Sequence, residues 1–145
     1  MFKLKRFRTA LVGIAVMAGL GVGVAPARAA DTCTAGGGGK YICDYGVTDH
    51  ALPGGGKEQF LVGLDYAVWT RWTVDKRWTG WVSLGKPDPL EDSARAASEI
   101  GVRDRQSQNN FQTDIYLHNS NGAFVGRTRP ALGSGWTPWE FPNCC

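Results

Sequence analysis

Trp69 and Arg71 stand two residues apart in a tryptophan-rich stretch, Trp78 follows, and Arg127 and Trp136 repeat the same residue types downstream. An indole offers a flat apolar face that packs on the C–H face of a sugar ring, while a guanidinium supplies donors in fixed directions for the ring hydroxyls. Residues two apart on a strand share a face, so Trp69 and Arg71 would set a platform beside a hydrogen-bonding fork. These five residues are the candidate ligand-binding set. Trp78 and Trp136 open their strands near a loop edge, where partial exposure is expected, and Trp81 and Trp139 are expected in the core. The arginines have a second reading, as cation–π or salt-bridge spacers between packed sheets.

The histidines, His50 and His118, could together support acid/base hydrolysis, but neither lies beside a recognisable nucleophile or metal motif. His118 occupies the strand position that Val62 holds earlier in the chain, and a structural or surface role is expected for both. Glu58, Glu99 and Glu140 have no spacing that marks a glycosidase pair. No catalytic residue, metal ligand or cofactor is therefore assigned, and the chain is not expected to be an enzyme.

The elements that must carry these residues form a repeat. With an offset of 56, Phe60 falls on Tyr116, Leu61 on Leu117, Asp65 on Asn121, Ala67 on Ala123 and Arg71 on Arg127. After a two-residue insertion, Trp78, Thr79 and Trp81 fall on Trp136, Thr137 and Trp139. Upstream, Gly46, Val47 and Asp49 match Gly101, Val102 and Asp104 at an offset of 55. Each unit, about 41–85 and 99–142, reads as four short antiparallel strands rich in aromatic and β-branched residues. In the first unit these fall near 41–48, 59–63, 67–74 and 78–84; in the second, Asn121 and Gly122 mark a tight hairpin. The segment 89–98 has the composition for a helical turn or two, and residues 31–40, with four successive glycines, make a loose arm unless disulfides hold it. A four-stranded unit of about 40 to 55 residues has the period of a propeller blade, apolar on both faces so that neighbours can stack on each.

Residues 1–29 read as a secretory signal peptide: Lys3, Lys5, Arg6 and Arg8 precede an apolar run from Ala10 to Ala25, and Ala27 and Ala29 supply the small residues of a cleavage site. The expected mature chain, 30–145, is one domain in an extracellular setting, with no membrane insertion after processing. The leader holds five of the 16 basic residues and none of the 13 acidic ones, leaving 11 against 13 and a formal charge of −2. A nucleic-acid binder's basic footprint is absent. Cys33, Cys43, Cys144 and Cys145 are expected to form disulfides. Because trans neighbours are about 3.8 Å apart, too close for an easy bridge, Cys33 and Cys43 are expected to pair with Cys144 and Cys145.

The segment GLDYAVWTRWTVDKRWTGWVSLG, residues 63–85, resembles the repeat of PLL-like β-propeller lectins, a bacterial family whose blades carry GTDGALWHRWQ followed by WSGWxSLGG. The match runs over Gly63, Asp65, Ala67, Trp69, Arg71, Trp72, Trp78, Gly80, Trp81, Ser83, Leu84 and Gly85. The second unit departs from it, with Val125 and Thr128 at the strand-three tryptophan positions and Pro138 in place of the glycine. The resemblance implies an all-β, propeller-type fold and carbohydrate binding between blades, with glycans or cell-surface saccharides as partners. Two blades cannot close a ring of about four to eight, so either homo-oligomerisation completes it or the two sheets pack on each other as a disulfide-stapled sandwich. The expected function is a secreted, non-catalytic lectin-like module. An extracellular interaction or inhibitor protein on the same scaffold is the alternative, and a small secreted hydrolase comes third.

Overall fold

The computed structural model describes residues 29–90, 93–106 and 110–142; residues 1–28 of the leader, and Cys144 and Cys145, lie outside them. Strands β1 (Thr32–Thr34) and β2 (Lys40–Ile42) form an antiparallel hairpin around the glycine run. Gly37 and Gly38 take φ of 69° and 76°, values that glycine adopts at no steric cost and other residues only rarely. The arm is therefore built rather than loose, and its staple differs from the expected one. Cys33 is bonded to Cys43, with Cα atoms 5.1 Å apart, not to the carboxyl-terminal pair. The ladder puts Cys33 opposite Tyr41, so Cys43, two residues on, is its diagonal neighbour on the same face, within reach of a bridge.

The first large sheet comprises β3 (Val47–Ala51), β4 (Lys57–Val62), β5 (Val68–Val74), β6 (Arg77–Trp78) and β7 (Val82–Ser83), in the order β3-β4-β5-β6 with β7 also on β5. Two expected strands are each broken. A 3-10 turn at Cys43–Tyr45 and Gly46, at φ 64°, separate β2 from β3. Thr79 divides β6 from β7, its N–H donating to the Trp72 carbonyl while its hydroxyl accepts from the Trp72 N–H. The second sheet, β8 (Gly101–Gln106), β9 (Phe111–His118) and β10 (Phe124–Arg129), has three strands in the order β10-β9-β8. Its expected fourth strand is reduced to a bridge between Glu140 and Gly126, because Pro138 has no N–H to extend a ladder. Every strand pairing is antiparallel, and the described part of 89–98 contains no helix. The Asp88 carboxylate instead accepts from the N–H groups of Leu90, Ser93 and Ala94 and folds the segment locally.

The offset of 56 is a structural one for the inner strands: Leu61 faces Trp69 across β4–β5, and Leu117 faces Val125 across β9–β10. The outer strands are shifted. Thr48 pairs with Phe60 and Gly101 with Tyr116, an offset of 53 where the sequence match was 55. A slip of two leaves every side chain on its original face, which is why both matches keep the same apolar pattern. Phe60, Val62 and Val68 point from the first sheet onto Ile115, Leu117 and Val125 of the second, and Ile42, Leu84, Ala96, Ile100 and Trp139 complete one buried cluster. The two sheets thus pack face to face with the core between them.

Candidate functional site

The five expected site residues do not converge. Arg71 is 6 % exposed, donates from Nε and Nη2 to Gln59 Oε1 at 2.8 and 2.6 Å, and lies over the rings of Trp78 and Trp81 at 4.4 and 4.8 Å. Arg127 donates to the carbonyls of Thr137 and Leu84 and lies 5.5 Å over Trp139. Both guanidiniums are spacers between layers. Trp78 remains 39 % exposed against Arg71. Trp69, its indole N–H donated to Asp65, lines a hollow of about 410 Å³ with Trp81, Lys40 and the glycine run. Trp136 lines a different one.

That second hollow, about 540 Å³, opens between the two sheets. Trp72 and Trp136 supply indole surface, Leu52, Pro53 and Leu132 add apolar edges, and Glu58, Thr70, Thr73, Ser134 and Arg129 contribute polar groups. Trp72 reaches it because β5 alternates: Trp69 faces the amino-terminal hairpin, so Trp72, three residues on, faces the second sheet. Trp136 is fixed edge-on to Phe60, ring centroids 5.9 Å apart at 83°.

The polar side of the hollow is an ion-paired relay. Arg129 is 7 % exposed and grips Glu58 with two parallel bonds, Nη1 to Oε1 at 2.8 Å and Nη2 to Oε2 at 2.9 Å. Nη2 also donates to Thr113, and the guanidinium lies 5.0 Å over the Trp136 ring. Glu58 Oε2 also meets His50 Nδ1 at 3.1 Å, and His50 Nε2 meets Asp104 Oδ2 at 2.9 Å. Burial opposes ionisation of Glu58, but His50 and Arg129 outweigh it and hold the carboxyl below its ordinary range. Burial likewise opposes protonation of His50, and the Glu58 and Asp104 carboxylates outweigh it and raise that histidine. One atom of the relay is unmet: Arg129 Nε is buried without a hydrogen-bond partner. Such an orphaned buried donor costs about 1 to 3 kcal/mol.

Glu58, ionised and held on both oxygens, has no proton to give, and His118 is on the far face of the second sheet beside Phe124, away from the His50 relay. Among the described residues no group of three or more His, Cys, Asp or Glu side chains is placed to hold a metal ion, and no helix is long and apolar enough to cross a membrane. Sequence reasoning missed Trp72, Glu58 and Arg129. Arg129 carried a signal, since it sits two residues beyond Arg127 and therefore on the same face of β10. No protein-family model matches the chain, and no curated protein sequence matches it.

Proposed function

We propose that this chain is a secreted, non-catalytic carbohydrate-binding module, that its two sheets are propeller-blade-like repeats, and that the sugar site is the hollow between them. The observation that carries this reading is a cavity lined by the indoles of Trp72, on β5, and Trp136, in the segment after β10, beside the Glu58–Arg129 ion pair. A pyranose needs an apolar platform and polar groups in fixed directions together, and a guanidinium already held immobile by the Glu58 pair costs little further entropy on binding. Secretion is supported by the leader pattern and by the Cys33–Cys43 bond, which persists in an oxidising compartment. The extracellular interaction reading has its own support: Val74, Trp78 and Val82, 54, 39 and 45 % exposed, lie on adjoining strands of one edge.

The test is glycan-array binding followed by titration with free monosaccharides. Trp72→Ala should weaken binding by about tenfold or more, the loss expected for an anchoring aromatic. A Cβ at Gly135, on the rim of the hollow, meets nothing within 4 Å, so Gly135→Phe should fill the space and abolish binding without altering the fold. Binding that survives Gly135→Phe would remove the site from this hollow. Capture of a protein partner that is indifferent to free sugar and lost in Trp78→Ser would favour the interaction reading.

A further inference from the structure

The two ends of the stack are finished differently. At the first sheet, Trp81 donates its indole N–H to the Gly36 carbonyl at 3.0 Å, and a Cβ on Gly36 would lie 2.8 Å from Arg71 Nη2. At the second sheet the equivalent Trp139 donates to the Leu84 carbonyl at 2.9 Å, and the equivalent Arg127 donates to that same carbonyl. The stapled hairpin therefore does for the first sheet what the first sheet's last segment does for the second. It closes the amino-terminal end of the stack.

The opposite end is open. Phe60, Val62 and Val68 of the first sheet are covered by the second, but their equivalents Tyr116, His118 and Phe124 face outward, His118 being exposed and the two aromatic residues half-buried. With Phe141 and Pro142, Tyr116 and Phe124 line an open hollow of about 690 Å³. Its two edges carry opposite net charge: Arg103 and Arg105 on β8, which share Asp114 of β9 as an ion-pair partner and have side chains 64 and 59 % exposed, and exposed Glu140 beside β10.

We propose that two copies of this chain pair back to back through this outer face, as a closed two-fold dimer of stacked sheets. The hairpin blocks head-to-tail growth, because the surface a following copy would have to join is already covered. Only like faces are left to meet. A two-fold axis along the strands lays Arg103 and Arg105 of one copy against Glu140 of the other and sets Tyr116, Phe124 and Phe141 between them. A face eight residues long and three to four strands wide buries on the order of 1,000 Å² in total, the lower bound for a specific interface, so association in the micromolar range is expected.

Sedimentation of the processed, oxidised chain from low to high micromolar concentration tests this. The expected result is a mass reaching twice that of the monomer and no more, kept in the Cys144→Ser, Cys145→Ser double variant. Phe141→Asp should be monomeric with an unchanged circular-dichroism spectrum, and Glu140→Arg should weaken pairing at least tenfold, with Arg103→Glu in the same chain restoring part of the loss. A monomer throughout, a mass that keeps rising past two, dimerisation that vanishes with the cysteines, or a Phe141→Asp chain that still pairs would each overturn the proposal.

Discussion

At the scale of single residues, His50 has the largest leverage. It lies between two carboxylates, Glu58 on its own sheet and Asp104 on the other, with Arg129 behind Glu58 and the rings of Phe60 and Phe111 about 6 Å away. The imidazolium can donate to both acids, whereas the neutral ring turns a lone pair toward one of them. Since its folded value is raised, its contribution is fully present below the unfolded value, about 6.5, and is lost as pH rises through the folded one. Glu58 and Asp114 are held low, so theirs is present above about pH 4.3 and lost as pH falls through their folded values. Thermal melts from pH 3 to 9 should therefore peak between about 4.5 and 6.5, and His50→Gln should flatten the alkaline limb and soften the acid limb as well, since His50 helps to hold Glu58 low. Arg71 gives a second prediction. As a buried spacer with two hydrogen bonds and two indole neighbours, its replacement by alanine should cost about 2 to 4 kcal/mol in urea unfolding. A loss within 0.5 kcal/mol, the range of an ordinary surface change, would return it to the list of ligand residues.

Among the elements, the amino-terminal hairpin is a separable cap. Its ladder is only three residues per strand, too little to stand alone in water, and its stability derives from the Cys33–Cys43 bond and from docking on Trp81, Arg71 and, through the Tyr41 bridge, Gly63. Gly39 is where that docking is tightest: a Cβ there would lie 2.4 Å from the Trp81 Nε1, although its φ of −65° suits any residue. Gly39→Ala should therefore undock the hairpin by a steric route, red-shifting tryptophan emission and speeding amide exchange at Leu61, while the amides of β9 keep their protection. Reduction of the disulfide should do the same and cost about 3 kcal/mol for a loop of this size. If either change melts both sheets together, the hairpin is part of the core and not a cap on it.

For the whole molecule, the stacking of two sheets over one core decides where a ligand can act. The hollow between them takes Trp72 and Glu58 from one sheet and Trp136 and Arg129 from the other side of the seam, so a sugar bound there bridges the interface on which folding depends. A saturating monosaccharide, at about 100 times its Kd, should add about 2.7 kcal/mol and raise the melting temperature by several degrees. In Gly135→Phe the same sugar should produce no shift, which separates occupancy of this hollow from general solute effects.

The linear chain determined the all-β class, the repeat and the face each side chain takes, because strand geometry has a period of two and the inner strands keep one spacing twice. It also marked Trp81 and Trp139 as a matched pair, and both indoles donate to a carbonyl of the layer before them. Tertiary structure alone decided which arginine is a spacer and which lines the hollow. Arg127 and Arg129 share a strand and a face, and they differ in what lies opposite: the carbonyls of Leu84 and Thr137 for one, the Glu58 carboxylate for the other. The cysteine pairing depended on the same kind of information, since residue spacing allows several partners and only the β1–β2 register brings Cys33 beside Cys43. A guanidinium's role is set by the group it meets across packed sheets, and in Arg129 that group is 71 residues away in sequence.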